Sequence, residues 1–167
     1  YRDIAASYPQ HIAGLKYAKY DGCSGTARFS HTMIGKARLD NLERCAEMIF
    51  ADCVRGDFLE AGVCQGGAAI FLRALQVAHD EGARRTWVVD SFRGGPPAGS
   101  ARDTNYDLVI SEEGIPSLAC SQERVRDHFV RYGLLDGNVR FVEGWLADSV
   151  PGVATLLTKS TSVARAI

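Results

Sequence analysis

The chain has 167 residues, 46% of them hydrophobic and 23% charged, which fits one globular domain with a real core and excludes disorder. Nineteen basic against twenty acidic residues give a net charge of -1, so no overall basic field recruits nucleic acid or an anionic membrane. No apolar run reaches bilayer-spanning length, and five irregularly spaced cysteines without a Cys-x-x-Cys pair argue against a zinc site or disulfide scaffold and for free thiols in a reducing cytoplasm.

Tyr1 opens the chain with no charged-then-apolar leader, so the sequence reads as a fragment. Residues 1 to about 30 lack periodicity, and Asp21-Gly22-Cys23-Ser24-Gly25 reads as a turn. From Arg38 onward, Leu39, Leu42, Ala46, Ile49, Phe50 and Val54 recur at three- and four-residue steps. That spacing predicts a helix stopped by Gly56. Phe58 to Val63 reads as a buried strand. Gly66-Gly67 then opens a second helix whose apolar face is Ile70, Phe71, Ala74, Leu75 and Ala78. Thr86-Trp87-Val88-Val89-Asp90 is a second strand, so the three elements form a right-handed βαβ unit with parallel strands. Residues 93–118 hold Gly94, Gly95, Pro96, Pro97, Gly99 and Pro116. They are too long for an ordinary connection and read as a lid-like insertion. Ser121 caps a helix with Val125, Phe129 and Tyr132 inward, ended by Gly133, and Val139 to Glu143 is a third strand. The fold class is α/β.

The chemistry concentrates in Glu60-Ala61-Gly62-Val63-Cys64-Gln65-Gly66-Gly67. Glycines at a strand-to-helix turn let a ligand approach the backbone, and the helix N-terminus offers free N–H groups. A dinucleotide fingerprint would read Gly-x-Gly-x-x-Gly, whereas this turn reads Glu-x-Gly-x-x-x-Gly, the form of S-adenosylmethionine (SAM) sites. A plain structural βα turn is the alternative. Asp90 ends the next strand, where a carboxylate can accept hydrogen bonds from ribose hydroxyls or simply close a turn. Glu143-Gly144-Trp145 ends the third strand on the same edge, and Trp145 either stacks on adenine or packs beneath the following helix. His31, His79 and His128 have no partner at a telling spacing and read as surface or satisfied core residues. Cys64 reads as packing, and Arg124, Arg126 and Arg131 as a solvated helix face.

Several blocks together resemble the macrocin O-methyltransferase family, which includes the aminocoumarin sugar O-methyltransferases of antibiotic biosynthesis. They are Thr32-Met33-Ile34-Gly35-x-x-Arg38-Leu39-x-Asn41-Leu42, then Gly56 to Val63 with Gly66-Gly67, and Asp90-Ser91-Phe92-x-Gly94. Val125-x-x-x-Phe129-x-x-Tyr132-Gly133-Leu134 and Val139-x-Phe141-x-x-Gly144-Trp145 continue the match, which covers about residues 30 to 151. The resemblance implies a Rossmann-like class I methyltransferase that uses SAM and Mg²⁺ to methylate a sugar hydroxyl of a natural product. It implies a cofactor site drawn from Thr32, Met33, Ile34, Glu60, Gly62, Val63, Gly66, Gly67, Asp90, Ser91, Gly144 and Trp145. It divides the chain into an N-terminal lid segment (1–37), a SAM-binding domain (38–152) and a divergent tail (153–167).

The family's Asp-Gly-Asp segment and Asp-Asp pair, which supply the metal ligands and the base, have no counterpart in this sequence. Catalytic and metal-binding residues are therefore unassigned. Three strands where the fold has seven make the sheet incomplete at its C-terminal end. The expected partners are a glycosylated small-molecule acceptor and a second copy of the chain, without nucleic acid or membrane. The alternative is a SAM-binding remnant that lacks the metal-and-base half.

Overall fold

A computed structural model of the chain describes residues 31, 32, 34–94 and 119–159, the last three without their side chains. Their order is α1 (Gly35–Ala51), β1 (Phe58–Ala61), α2 (Gly67–Ala78), β2 (Thr86–Asp90), α3 (Gln122–Arg131), β3 (Val139–Glu143) and α4 (Leu146–Lys159). The three strands form one parallel sheet in the order β1-β2-β3. Phe58 pairs with Thr86, and Thr86 with Val139, so the three carboxyl ends finish together at Ala61, Asp90 and Glu143. The strands predicted at 86–90 and 139–143 lie there.

The central strand explains the layering. Trp87 and Val89 face one side of the sheet with Val153 of α4, while Val88 faces the other with Ile70 of α2 and Val125 and Phe129 of α3. A strand buried on both faces reads as a continuous apolar run, as β2 does. The helix α1 lays Ala46 against Phe58, Leu72 and Leu75. Because α2 is covered on several sides, its predicted stripe is too narrow. Ala68, Ala69, Leu72, Arg73 and Gln76 are also buried, whereas Ala78 is exposed.

Two expectations are corrected. The first helix starts at Gly35 and ends at Ala51, short of Gly56, and Val54 is exposed. The Val54 N–H donates to the Ile49 carbonyl and the Cys53 N–H to that of Phe50, with Cys53 left-handed at φ 51°. That is a Schellman stop, a turn that ordinarily uses glycine, so no sequence signal marked it. The fourth helix runs through the boundary expected at residue 152 with Pro151 inside it. Val153, expected to begin a divergent tail, packs on Trp87 and Val89 at 2% exposure. Most of the 93–118 insertion lies outside the described residues.

Candidate functional site

Parallel α/β sheets bind ligands at their carboxyl edge, and here that edge gathers the turn after β1 and the ends of β2 and β3. The three glycines of the turn do different things. Gly62, at φ 81°, needs the left-handed region, and a Cβ there would meet nothing within 4 Å, so it leaves open space beside the backbone. Gly66 caps α2 at φ 81°, and a Cβ would come within 2.6 Å of Val125 Cγ1, which makes it a packing glycine against α3. At Gly67 a Cβ would strike the His31 carbonyl oxygen, to which the Gly67 N–H donates at 2.8 Å.

Glu60 shares a sheet face with Val88 and stands at the mouth of this turn. Its Oε2 is buried without a hydrogen-bond partner among the described residues. Burial raises its pKa from 4.5 to about 7; the Ala69 N–H offsets part of that rise, and the Asp90 charge adds to it. A buried carboxyl oxygen without a donor is costly to keep and fits a site that receives a cationic or donor group.

Asp90 is a backbone organiser. Its Oδ2 accepts from the Val63 N–H at 2.6 Å and the Cys64 N–H at 3.3 Å, and its Oδ1 from the Phe92 N–H at 2.9 Å. Cys64 (φ 49°) and Phe92 (φ 56°) are both left-handed non-glycine residues. Such conformations carry strain of about 1–2 kcal/mol each and persist when their surroundings fix them. One carboxylate therefore fixes the strained residues of two adjacent turns.

The remaining sequence-derived residues divide. The Val63 side chain is buried in the core, and its contribution at the edge is the N–H held by Asp90. Ser91 is buried and donates to the Gly94 carbonyl, which holds its own turn. The Gly144 N–H donates to the Asp90 carbonyl at 2.9 Å and ties β3 to the same edge. Trp145 as a whole is 37% exposed, and its carbonyl accepts from the N–H groups of Asp148 and Ser149 at the start of α4. Thr32 lies against Gly67, Ile34 immediately precedes α1, and Met33 lies outside the described residues.

Cys64 is half-buried, and burial pushes its thiol pKa up, away from a reactive thiolate. The residues the sequence did not bring together are His31, His128 and Tyr132. The two imidazoles stack with centroids 4.0 Å apart, and His31 Nδ1 lies 2.9 Å from the Tyr132 hydroxyl. The only available signal was the one-turn spacing of His128 and Tyr132, with nothing pointing to His31.

For a divalent metal the described residues do not fit. Among the described residues no three His, Cys, Asp or Glu side chains gather as a ligand set, and no step is assigned to a metal. Nor is any described helix long and apolar enough to cross a membrane.

Comparison with known proteins extends the site to a family. The model of the macrocin-O-methyltransferase (TylF) family matches residues 10–163, beyond both ends of the blocks recognisable in the sequence. The chain is 48% identical over 128 residues to the 8-demethyl-8-(2,3-dimethoxy-alpha-L-rhamnosyl)-tetracenomycin-C 4'-O-methyltransferase of Streptomyces olivaceus, covering 75% of this chain and 48% of that one. It is 42% identical over 122 residues to the demethyldecarbamoylnovobiocin O-methyltransferase of Streptomyces niveus, covering 73% and 47%. Against the mycinamicin III 3''-O-methyltransferase of Micromonospora griseorubida the identity is 44%, covering 73% and 49%. The structure of the O-methyltransferase NovP superposes with a TM-score of 0.64 at 42% identity, covering 73% of this chain and 50% of that one. The chain spans about half the length of the curated relatives it matches.

Proposed function

This chain belongs to the macrocin O-methyltransferase family, and from that premise we propose that its carboxyl edge binds SAM for methyl transfer to a sugar hydroxyl of a glycosylated natural product. The observation that carries the reading is Glu60 Oε2, buried without a hydrogen-bond partner among the described residues, two residues before Gly62 with its open backbone. The methionine part of SAM ends in an ammonium group, which is the complement such an oxygen lacks. When bound, SAM supplies a methyl group already activated on a sulfonium.

The chain's own residues then bind and orient. Glu60 receives the ammonium group, and Gly62 lets the cofactor lie along the backbone. Asp90 keeps the turn in shape and stands where the ribose hydroxyls would come. Trp145, partly exposed at the end of β3, offers its ring to adenine. Thr32 and Ile34 belong to the segment over the N-terminus of α2. The acceptor class is taken from the relatives, whose names specify methylation of glycosylated antibiotics or their precursors.

A dinucleotide fits this edge less well. Its pyrophosphate would need the free N–H groups at the start of α2, but Gly67 N–H is held by His31, and the Glu60 carboxyl faces Ala69 N–H. Calorimetric titration of the chain with S-adenosylhomocysteine and with NAD tests the reading. Binding of the first and not of the second is expected; the reverse, or no binding of the first, overturns it.

A further inference from the structure

The stacked histidines lie outside the group of residues assigned to the cofactor, yet they hold its turn from both sides. His128 is 3% exposed on α3, and its Nδ1 lies 2.9 Å from the Gln65 carbonyl. A carbonyl only accepts, so Nδ1 of His128 carries the proton in this bond. His31 stacks on the other face of that contact, and its own carbonyl holds the Gly67 N–H. Gln65 and Gly67 flank Gly66, which itself packs on Val125 of the same helix. Tyr132, one turn beyond His128, fixes the His31 ring through its hydroxyl.

One face of α3 therefore grips Gln65 through His128 and Gly66 through Val125, and the His31 ring stacked on His128 belongs to the residue whose main chain holds Gly67. The same contacts dock residues 31 and 32 on the N-terminus of α2. Burial first, then His128, Arg131 and Arg124, lower the His31 pKa to about 4, so the ring is neutral at pH 7 and can accept from Tyr132.

We infer that His128 and His31 are a positioning pair, a clasp that holds the Gln65–Gly67 turn in the shape the cofactor needs by tying it to α3 and to residues 31 and 32. The inference rests on the SAM-binding reading, and it assigns neither histidine a contact with the reacting atoms.

The test is calorimetric affinity for S-adenosylhomocysteine in the 167-residue chain, read with the melting temperature of the unliganded protein and the NMR signals of the His31 ring. His128→Phe keeps a ring to stack but removes the donor to Gln65, and about a tenfold loss of affinity is expected. His128→Asn restores an N–H donor near the Nδ1 position and is expected to recover most of that loss. His31→Ala, at a half-buried site, should fold normally and weaken binding about as much as His128→Phe. In the wild type, the His31 ring signals should shift when the ligand is added.

Wild-type binding with unchanged affinity in both His128→Phe and His31→Ala, and His31 signals indifferent to the ligand, would overturn the clasp alone. A loss of affinity that merely parallels lost melting temperature, with no rescue by asparagine, would reduce the pair to a structural role and equally overturn it. Absence of binding by the wild type instead removes the cofactor reading, and with it the clasp as a cofactor device.

Discussion

Two polar clusters sit at opposite ends of the same sheet, and they are finished to different degrees. At the amino end, the Arg73 guanidinium donates to Gln76, to the carbonyls of Gly82 and Arg84, and to Asp136, and Thr86 closes the group on Gln76. Among the described residues only its Nε lacks a partner. At the carboxyl end Glu60 is left with a whole buried oxygen unpartnered, beside two left-handed residues held by Asp90. The Arg73 network leaves one guanidinium nitrogen over, partners every other donor and so ties elements together. An unpartnered carboxyl oxygen at the sheet's binding edge instead carries a cost that a ligand can relieve. The amino end therefore serves stability and the carboxyl end serves binding.

Removal of the guanidinium should separate the two ends most sharply. Arg73→Ala strands Gln76 and two carbonyls and empties a fully buried site. It is expected to lower unfolding free energy by about 3 kcal/mol or more in chemical denaturation, with S-adenosylhomocysteine affinity nearly unchanged. Equal losses of stability and affinity would erase the distinction.

Asp90→Ala releases three backbone N–H groups and two strained residues at the binding end. A stability loss of about 2 kcal/mol is expected, with affinity falling more than tenfold, because here the supporting contacts and the site coincide. Asp90→Asn, which keeps one acceptor, should fall between.

Glu60 should behave in the opposite sense for stability. Its folded pKa of about 7 lies above the ordinary 4.5, so the native state holds a proton that the unfolded chain has released. Stability from this group is greatest below pH 4.5 and is lost as pH rises through 7, on the order of 3 kcal/mol across the window. Glu60→Gln removes the charge without the shape. It should leave the unliganded protein as stable or more stable at pH 8 in thermal melts, while weakening S-adenosylhomocysteine about tenfold. A destabilised Gln variant would show that Glu60 belongs with Arg73 as structural cement.

His31 titrates in the reverse direction. Its pKa falls from 6.5 to about 4, so its contribution is intact above pH 6.5 and is lost as pH drops toward 4. The smallest expected effect is a modest decline in melting temperature over that range, absent from His31→Ala.

What the sequence revealed follows from how local each signal was. Val139 to Glu143 and Thr86 to Asp90 were legible because short apolar runs between turn residues read directly as strands. Ser121 was legible because a serine before an amphipathic stretch accepts from Arg124 N–H, as it does here at 3.3 Å. The end of α1 was not, because Cys53 takes a conformation that favours glycine. The fourth helix was obscured by Pro151 and Gly152, which sit inside it beside the buried Val153. In the site, the order of Glu60, Gly62 and Gly67 was visible as a pattern. The unpartnered oxygen, the backbone duty of Asp90 and the meeting of His31 with His128 depend on distant segments and have no local trace.

The central claim is that Glu60 awaits a cationic group, and one measurement reads it directly. Calorimetry of S-adenosylhomocysteine binding at pH 6, in two buffers of different ionisation enthalpy, counts protons exchanged on binding. With Glu60 protonated in the free chain and ionised against the ligand ammonium, close to one proton should be released, and Glu60→Gln should abolish the release. Binding without proton release, or release unchanged in Glu60→Gln, would contradict the claim.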